Sequence, residues 1–181
     1  MNKNNQTLKD TFTKAIENFK KRDFKNAEIY CYKILSIDPN HFDSMSLLAN
    51  IAAISKNFNK AIELLNKLVQ VHPNNIIAIH NLGSAYKDLG KLDEATKYYK
   101  KVLEKEPLHT NANYNLGIVF HKLGDLKNAK SYLKKTVNIQ KNYALAFFGL
   151  GNVHVDLKEF DEAVSNYQKA IEINPNIVAA H

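Results

Sequence analysis

The sequence predicts an all-α solenoid of five helix–turn–helix repeats, and three observations carry that expectation. An alanine recurs every 34 residues, at Ala27, Ala61, Ala95, Ala129 and Ala163. Pro39, Pro73, Pro107 and Pro175 each follow one of these alanines by twelve residues. The stretch from Ile76 to His109 overlays its neighbours at the same shift without insertion or deletion, giving repeats 8–41, 42–75, 76–109, 110–143 and 144–177. A fixed period of this length marks stacked helix pairs, each burying its apolar face on the next, and not one central core.

Taken in order, residues 1–7 are polar and read as a disordered N-terminus. The register begins at Leu8, and the third repeat shows the logic most fully. Ile79, Leu82, Gly83 and Tyr86 form the inner stripe of a first helix at helical spacing. Gly90 marks a left-handed residue just past a helix end. Asp93 and Glu94 then place negative charge in the first turn of a second helix, where the macrodipole favours it. That helix turns Ala95, Tyr98, Tyr99, Val102 and Leu103 inward, and Pro107 stops it. Gly83 and Ala95 are small because two helices approach closely there. Tyr86, Phe120 and His154 share one large position, and Phe24, Phe58, Leu92, Leu126 and Phe160 share another, so His154 reads as a packing residue. Cys31 stands where other repeats have Leu65, Tyr99, Leu133 and Tyr167, which makes it a small core residue. Residues 178–181 read as the start of a truncated sixth repeat. Val164, Tyr167 and Ile171 would then be left partly bare, so either the protein continues or that end pairs with a second copy as a homo-oligomer.

Composition narrows the function classes. The chain of 181 residues is 45% hydrophobic and 24% charged, as in folded proteins, with only 6 Gly and 4 Pro. Its net charge of +7 comes from 24 lysines and a single arginine, Arg22. Nucleic-acid readers favour the arginine fork, and these lysines are spread through every repeat, so nucleic acid is not an expected partner. One cysteine excludes an internal disulfide framework. No apolar run serves as a signal peptide or spans a bilayer, which gives a cytoplasmic expectation and no membrane partner. HExxH, GxSxG, CxxC and Walker patterns are absent, and Gly149-Leu150-Gly151 has His154 where a dinucleotide fingerprint needs its third glycine. The expectation is a non-enzyme with no cofactor and no metal.

The residues Leu82-Gly83, Tyr86, Ala95, Tyr99 and Pro107 follow the pattern of tetratricopeptide repeats, and the chain resembles that family over 170 residues. The pattern recurs at Leu116-Gly117, Phe120, Ala129 and Leu133, and at Leu150-Gly151, Ala163, Tyr167 and Pro175. The resemblance implies a right-handed superhelical solenoid with a concave wall made by the first helices. The family tryptophan is replaced by Thr11, Met45, Ile79, Asn113 and Phe147; Lys14-Ala15 replaces Leu-Gly, and Lys141 replaces the fourth proline, so that exit turn should be looser.

The functional expectation is a protein-interaction scaffold that holds an extended peptide in this groove. On the wall the sequence places a run of asparagines, Asn50, Asn81, Asn115 and Asn152, with Asn111 and Ser84. It adds exposed rings at His80, Tyr114 and Phe148, and polar or charged groups at Lys87, His121 and Lys122. A carboxamide both donates and accepts, so it can pair with both halves of a peptide bond. Asn81 and Asn115 resemble the asparagine ladder of O-linked N-acetylglucosamine transferases, and the first repeat resembles the leading repeat of bacterial glycosyl-, methyl- or sulfotransferases. An alternative is therefore the substrate-recognition region of a larger transferase. Asn50 and Asn81 also resemble the amides of the clamp for chaperone C-termini, but Ser46, Asn111 and Asn115 stand where that clamp needs basic residues, which disfavours it.

Overall fold

In the computed structural model, which describes residues 3–177, every regular element is a helix. The chain divides into two compact units, Met1–Leu89 and Gly90–His181. The first holds α1 (Lys3–Lys20), α2 (Phe24–Leu35), α3 (Phe42–Ile54), α4 (Phe58–Val71) and α5 (Ile76–Asp88). The second holds α6 (Leu92–Lys105), α7 (Thr110–Lys122), α8 (Leu126–Ile139), α9 (Ala144–Asp156) and α10 (Phe160–Ile173). Within each unit every helix packs on the next one in sequence, and in the second unit α7 also touches α9. This row of antiparallel neighbours is the stacking that the 34-residue period requires.

Small residues permit the close approach. The five periodic alanines are at most 2% exposed. A methyl group on Gly117 would lie 2.8 Å from Leu133 Cγ, and one on Gly151 would lie 2.4 Å from Tyr167 Cε1. Around them Ala129, Leu133, Ala146, Leu150 and Val153 form a buried cluster in the second unit. In the first unit Cys31, Ile34, Leu48, Leu68 and Leu82 are completely buried. Burial pushes the Cys31 thiol up to about 11, with Glu28 adding to it, so the residue is core and not a nucleophile.

The turns repeat as faithfully as the helices. Arg22, Lys56, Gly90, Gly124 and Lys158, spaced by 34, all have φ between 58° and 82°. Only two of the five are glycines, so three cationic side chains sit in the left-handed region. Second helices are capped by Asp23, Asn57 and Asp125, whose side chains accept from Asn26, Lys60 and Asn128 N–H. First helices are capped by His41, Asn75 and His109, and the two histidines accept through Nδ1 from Ser44 and Ala112 N–H. Acting as an acceptor requires that ring nitrogen to be unprotonated.

Residues 3–7, expected to be disordered, are helical: α1 starts at Lys3, and within it Gln6 Nε2 donates to Asp10 and Thr11 Oγ1 donates to Thr7 O. The turn at Lys141 is looser, as expected: its backbone bond, Tyr143 N–H to Gln140 O, is 3.3 Å against 3.0–3.1 Å at the three preceding equivalent turns, and α9 has no side-chain cap. Tyr167 is half-buried, packing on Phe148 at a ring distance of 5.5 Å, and Val164 and Ile171 are 54% and 43% exposed, so all three are partly bare as expected. The start of a sixth repeat at 178–181 lies outside the described residues.

Candidate functional site

In the unit Met1–Leu89 a groove of about 560 Å³ opens over α3. Asp43, Ser46, Asn50 and Ala53 line it from α3, at positions i, i+3, i+7 and i+10, which share one helix face. The opposite face of α3 carries the buried Met45, Leu48, Ile51 and Ala52, so the core fixes which side chains look into the groove. Phe12 and Ile16 of α1 form an apolar wall, and Asn81, Ser84 and Asp88 of α5 form a polar one. Leu47, Ala49, Leu65 and Ala85 complete the lining. Among the described residues the side chains of Asp43, Ser46 and Asn50 have no hydrogen-bond partner in the protein. Asn81 Oδ1 has only a 3.5 Å contact with His80 Nδ1. Lys87 Nζ lies 3.6 Å from Asp88 Oδ1, beside the groove.

The second unit places its expected site residues differently. Asn115 is 8% exposed and therefore belongs to the interior, not to an open wall. Tyr114 is half-buried against Tyr143 at a ring distance of 5.2 Å; burial, then the Tyr143 hydroxyl, push its phenol up to about 12. Phe148 is likewise half-buried under Tyr167. Tyr143 Oη donates to Asn111 Oδ1 (3.1 Å), Tyr167 Oη donates to Asn152 Oδ1 (2.7 Å), and His121 Nε2 lies 2.7 Å from Asp156 Oδ2. Lys122 is exposed. The expected asparagine run is thus split: Asn50 and Asn81 line a groove, Asn115 is interior, and Asn111 and Asn152 are held by tyrosines.

Two polar groups have structural roles. His154, 4% exposed, sets Nδ1 2.5 Å from Glu159 Oε2, which also receives Lys130 Nζ at 2.7 Å. The Lys130 ammonium holds Glu159 below the usual carboxylate range, with His154 adding to this against burial. Asn113, in the position of the family tryptophan, is 1% exposed and donates from Nδ2 to Pro107 O and His109 O, latching the loop to α7. His154 is the packing residue its register position implied, but the partners of neither group were readable from the chain, because they are set by the fold. No group of three or more His, Cys, Asp or Glu among the described residues is placed to hold a metal ion. No helix there is long and apolar enough to cross a membrane.

Paired helices stacked through small residues, with an open polar groove on the first helices, define a helical-repeat interaction scaffold. Over residues 83–177 the repeats are tetratricopeptide repeats: models of that repeat match residues 83–124, 110–143 and 144–177. A model of anaphase-promoting complex, cyclosome, subunit 3 matches residues 20–102. No curated protein sequence matches the chain. Among solved structures, a crystal structure of MamA is similar, at 26% identity over 92% of this chain and 97% of that one, with a TM-score of 0.80. A second MamA structure covers 97% and 96% at 24% identity, with a TM-score of 0.81. YrrB, described as a TPR protein with an unusual peptide-binding site, covers 99% and 96% at 18% identity, with a TM-score of 0.76. These likenesses bear on the fold, and none bears on the transferase resemblance of the first repeat.

Proposed function

We propose that the chain is a protein-interaction module whose groove over α3 holds an extended peptide segment, with Asn50 and Asn81 reading its backbone. One observation carries the reading: polar side chains of α3 without partners in the protein, set in a groove of about 560 Å³ with an apolar wall. Polar groups left open beside apolar surface suit a ligand that brings both backbone amides and side chains. Stacked helices lie about 8–10 Å apart and an extended chain rises about 3.3 Å per residue. An amide on α3 and one on α5 would therefore contact the ligand about three residues apart.

The test uses heptapeptides selected by display on the wild-type chain. Two lost amide contacts of about 1 kcal/mol each weaken binding by roughly tenfold to thirtyfold. Asn50→Ala with Asn81→Ala should show that loss in fluorescence anisotropy, with a nearly unchanged thermal midpoint. Unaltered affinity would refute the groove.

A further inference from the structure

Resting on the groove reading above, we infer that its occupant is a cationic segment carrying two basic side chains about five or six residues apart. Among the described residues, the only formal charges lining the groove are carboxylates, Asp43 and Asp88. They lie at opposite ends of it. Asp43 is in the first turn of α3, and Asp88 is the last residue of α5. In repeat register Asp88 corresponds to Ile54, eleven positions beyond Asp43, and α3 and α5 run in the same direction. At about 1.5 Å per residue this is about 16 Å along the helices, and the lateral step between helices adds a few more. An extended peptide spans that distance in about five or six residues.

The local field supports a cation at each end. Asp88 sits at a helix C-terminus, where the macrodipole is already negative and repels an anionic ligand further. Its neighbour Lys87, 3.6 Å away, offsets part of this, but the Asp88 side chain stays 45% exposed and so remains open to a second cation. Asp43 has no partner within the protein among the described residues. The overall charge of +7 argues for acidic ligands only at long range, and beyond about 8 Å it is screened at physiological salt. Contact with the two carboxylates therefore decides. Between them Phe12 and Ile16 present an apolar wall to a side chain in the middle of the segment.

The experiment is a positional-scanning library of acetylated, amidated heptapeptides, with Lys, Gln or Glu fixed at the two positions five apart. The Lys arm should be retained about fivefold better than the Gln arm, and the Glu arm least, on the scale of two partly exposed ion pairs. Asp43→Asn with Asp88→Asn should abolish that ranking, while Asn50→Ala with Asn81→Ala should weaken all three arms and leave the ranking intact. Circular dichroism confirms that each variant is folded. Binding without a Lys preference, or a preference that survives the Asn substitutions, overturns the charge assignment and leaves the groove standing. No retention in any arm overturns both. A concentration-dependent mass that disappears in the Asp-to-Asn variant would put a second copy of this chain in the groove and overturn a foreign cationic segment.

Discussion

Gly151→Ala tests the packing argument most sharply, because its neighbour Gly149 supplies an internal control on the same helix. A Cβ at residue 151 meets three atoms of the Tyr167 ring, at 2.4, 2.6 and 2.9 Å. A rigid ring cannot yield at one atom, and Tyr167 is further held by its hydrogen bond to Asn152. Overpacking of this kind costs about 1–3 kcal/mol. Replacing a helical glycine returns about 1 kcal/mol of helix propensity. The net expectation is a loss of up to about 2 kcal/mol. At residue 149 the contacts are 3.3 Å and involve the flexible ends of Ile118 and Leu133, so Gly149→Ala should be neutral or slightly stabilising. Chemical denaturation of both variants checks the difference. Removing the ring should rescue Gly151→Ala in a double-mutant cycle. A Gly151→Ala chain as stable as Gly149→Ala would refute the claim that helix separation is set by this contact.

The remaining expectations are shorter. Lys56→Gly and Lys158→Gly should each stabilise by about 0.5–1 kcal/mol, since glycine adopts their φ of 58° and 61° without steric cost; unchanged denaturation midpoints would contradict this. Cys31 should resist a thiol-specific reagent in the native chain and react in denaturant, because its thiol is buried and raised to about 11. Cys31 and Tyr114 both have folded values above their unfolded ones of 9.0 and 10.0, so the folded state holds protons that the unfolded state has released. Stability should therefore fall as pH rises from about 9 towards 12, read by circular dichroism. Asn115→Ala should lower the thermal midpoint without altering peptide affinity, the reverse of the pattern expected for Asn50→Ala, because residue 115 is interior and residue 50 is exposed.

Much of the fold was legible because each 34-residue repeat restates its own packing rules. The alanines, the stripe Ile79, Leu82 and Gly83, and the place of Gly90 all follow from local helix geometry. The candidate site was legible only in part. Exposure on a first helix depends on what the following repeat lays over it, and those partners lie about one period away: Asn111 with Tyr143, His121 with Asp156. A single repeat position read alone cannot show that Tyr114 is covered while Asn50 is open. The capping histidines were hidden for a different reason. Imidazole caps only when one nitrogen is unprotonated and aimed at the helix, which residue type does not announce. The left-handed Arg22, Lys56 and Lys158 did leave a signal, the 34-residue alignment with Gly90 and Gly124.

The central claim is that ligands enter over α3, and amide chemical shifts report on it directly. On titration with a display-selected heptapeptide, the shifted amides should cluster around Phe12, from Asp43 to Ala53, and from Asn81 to Asp88. Shifts concentrated on α2 and α4, or on α6 to α10, would contradict it.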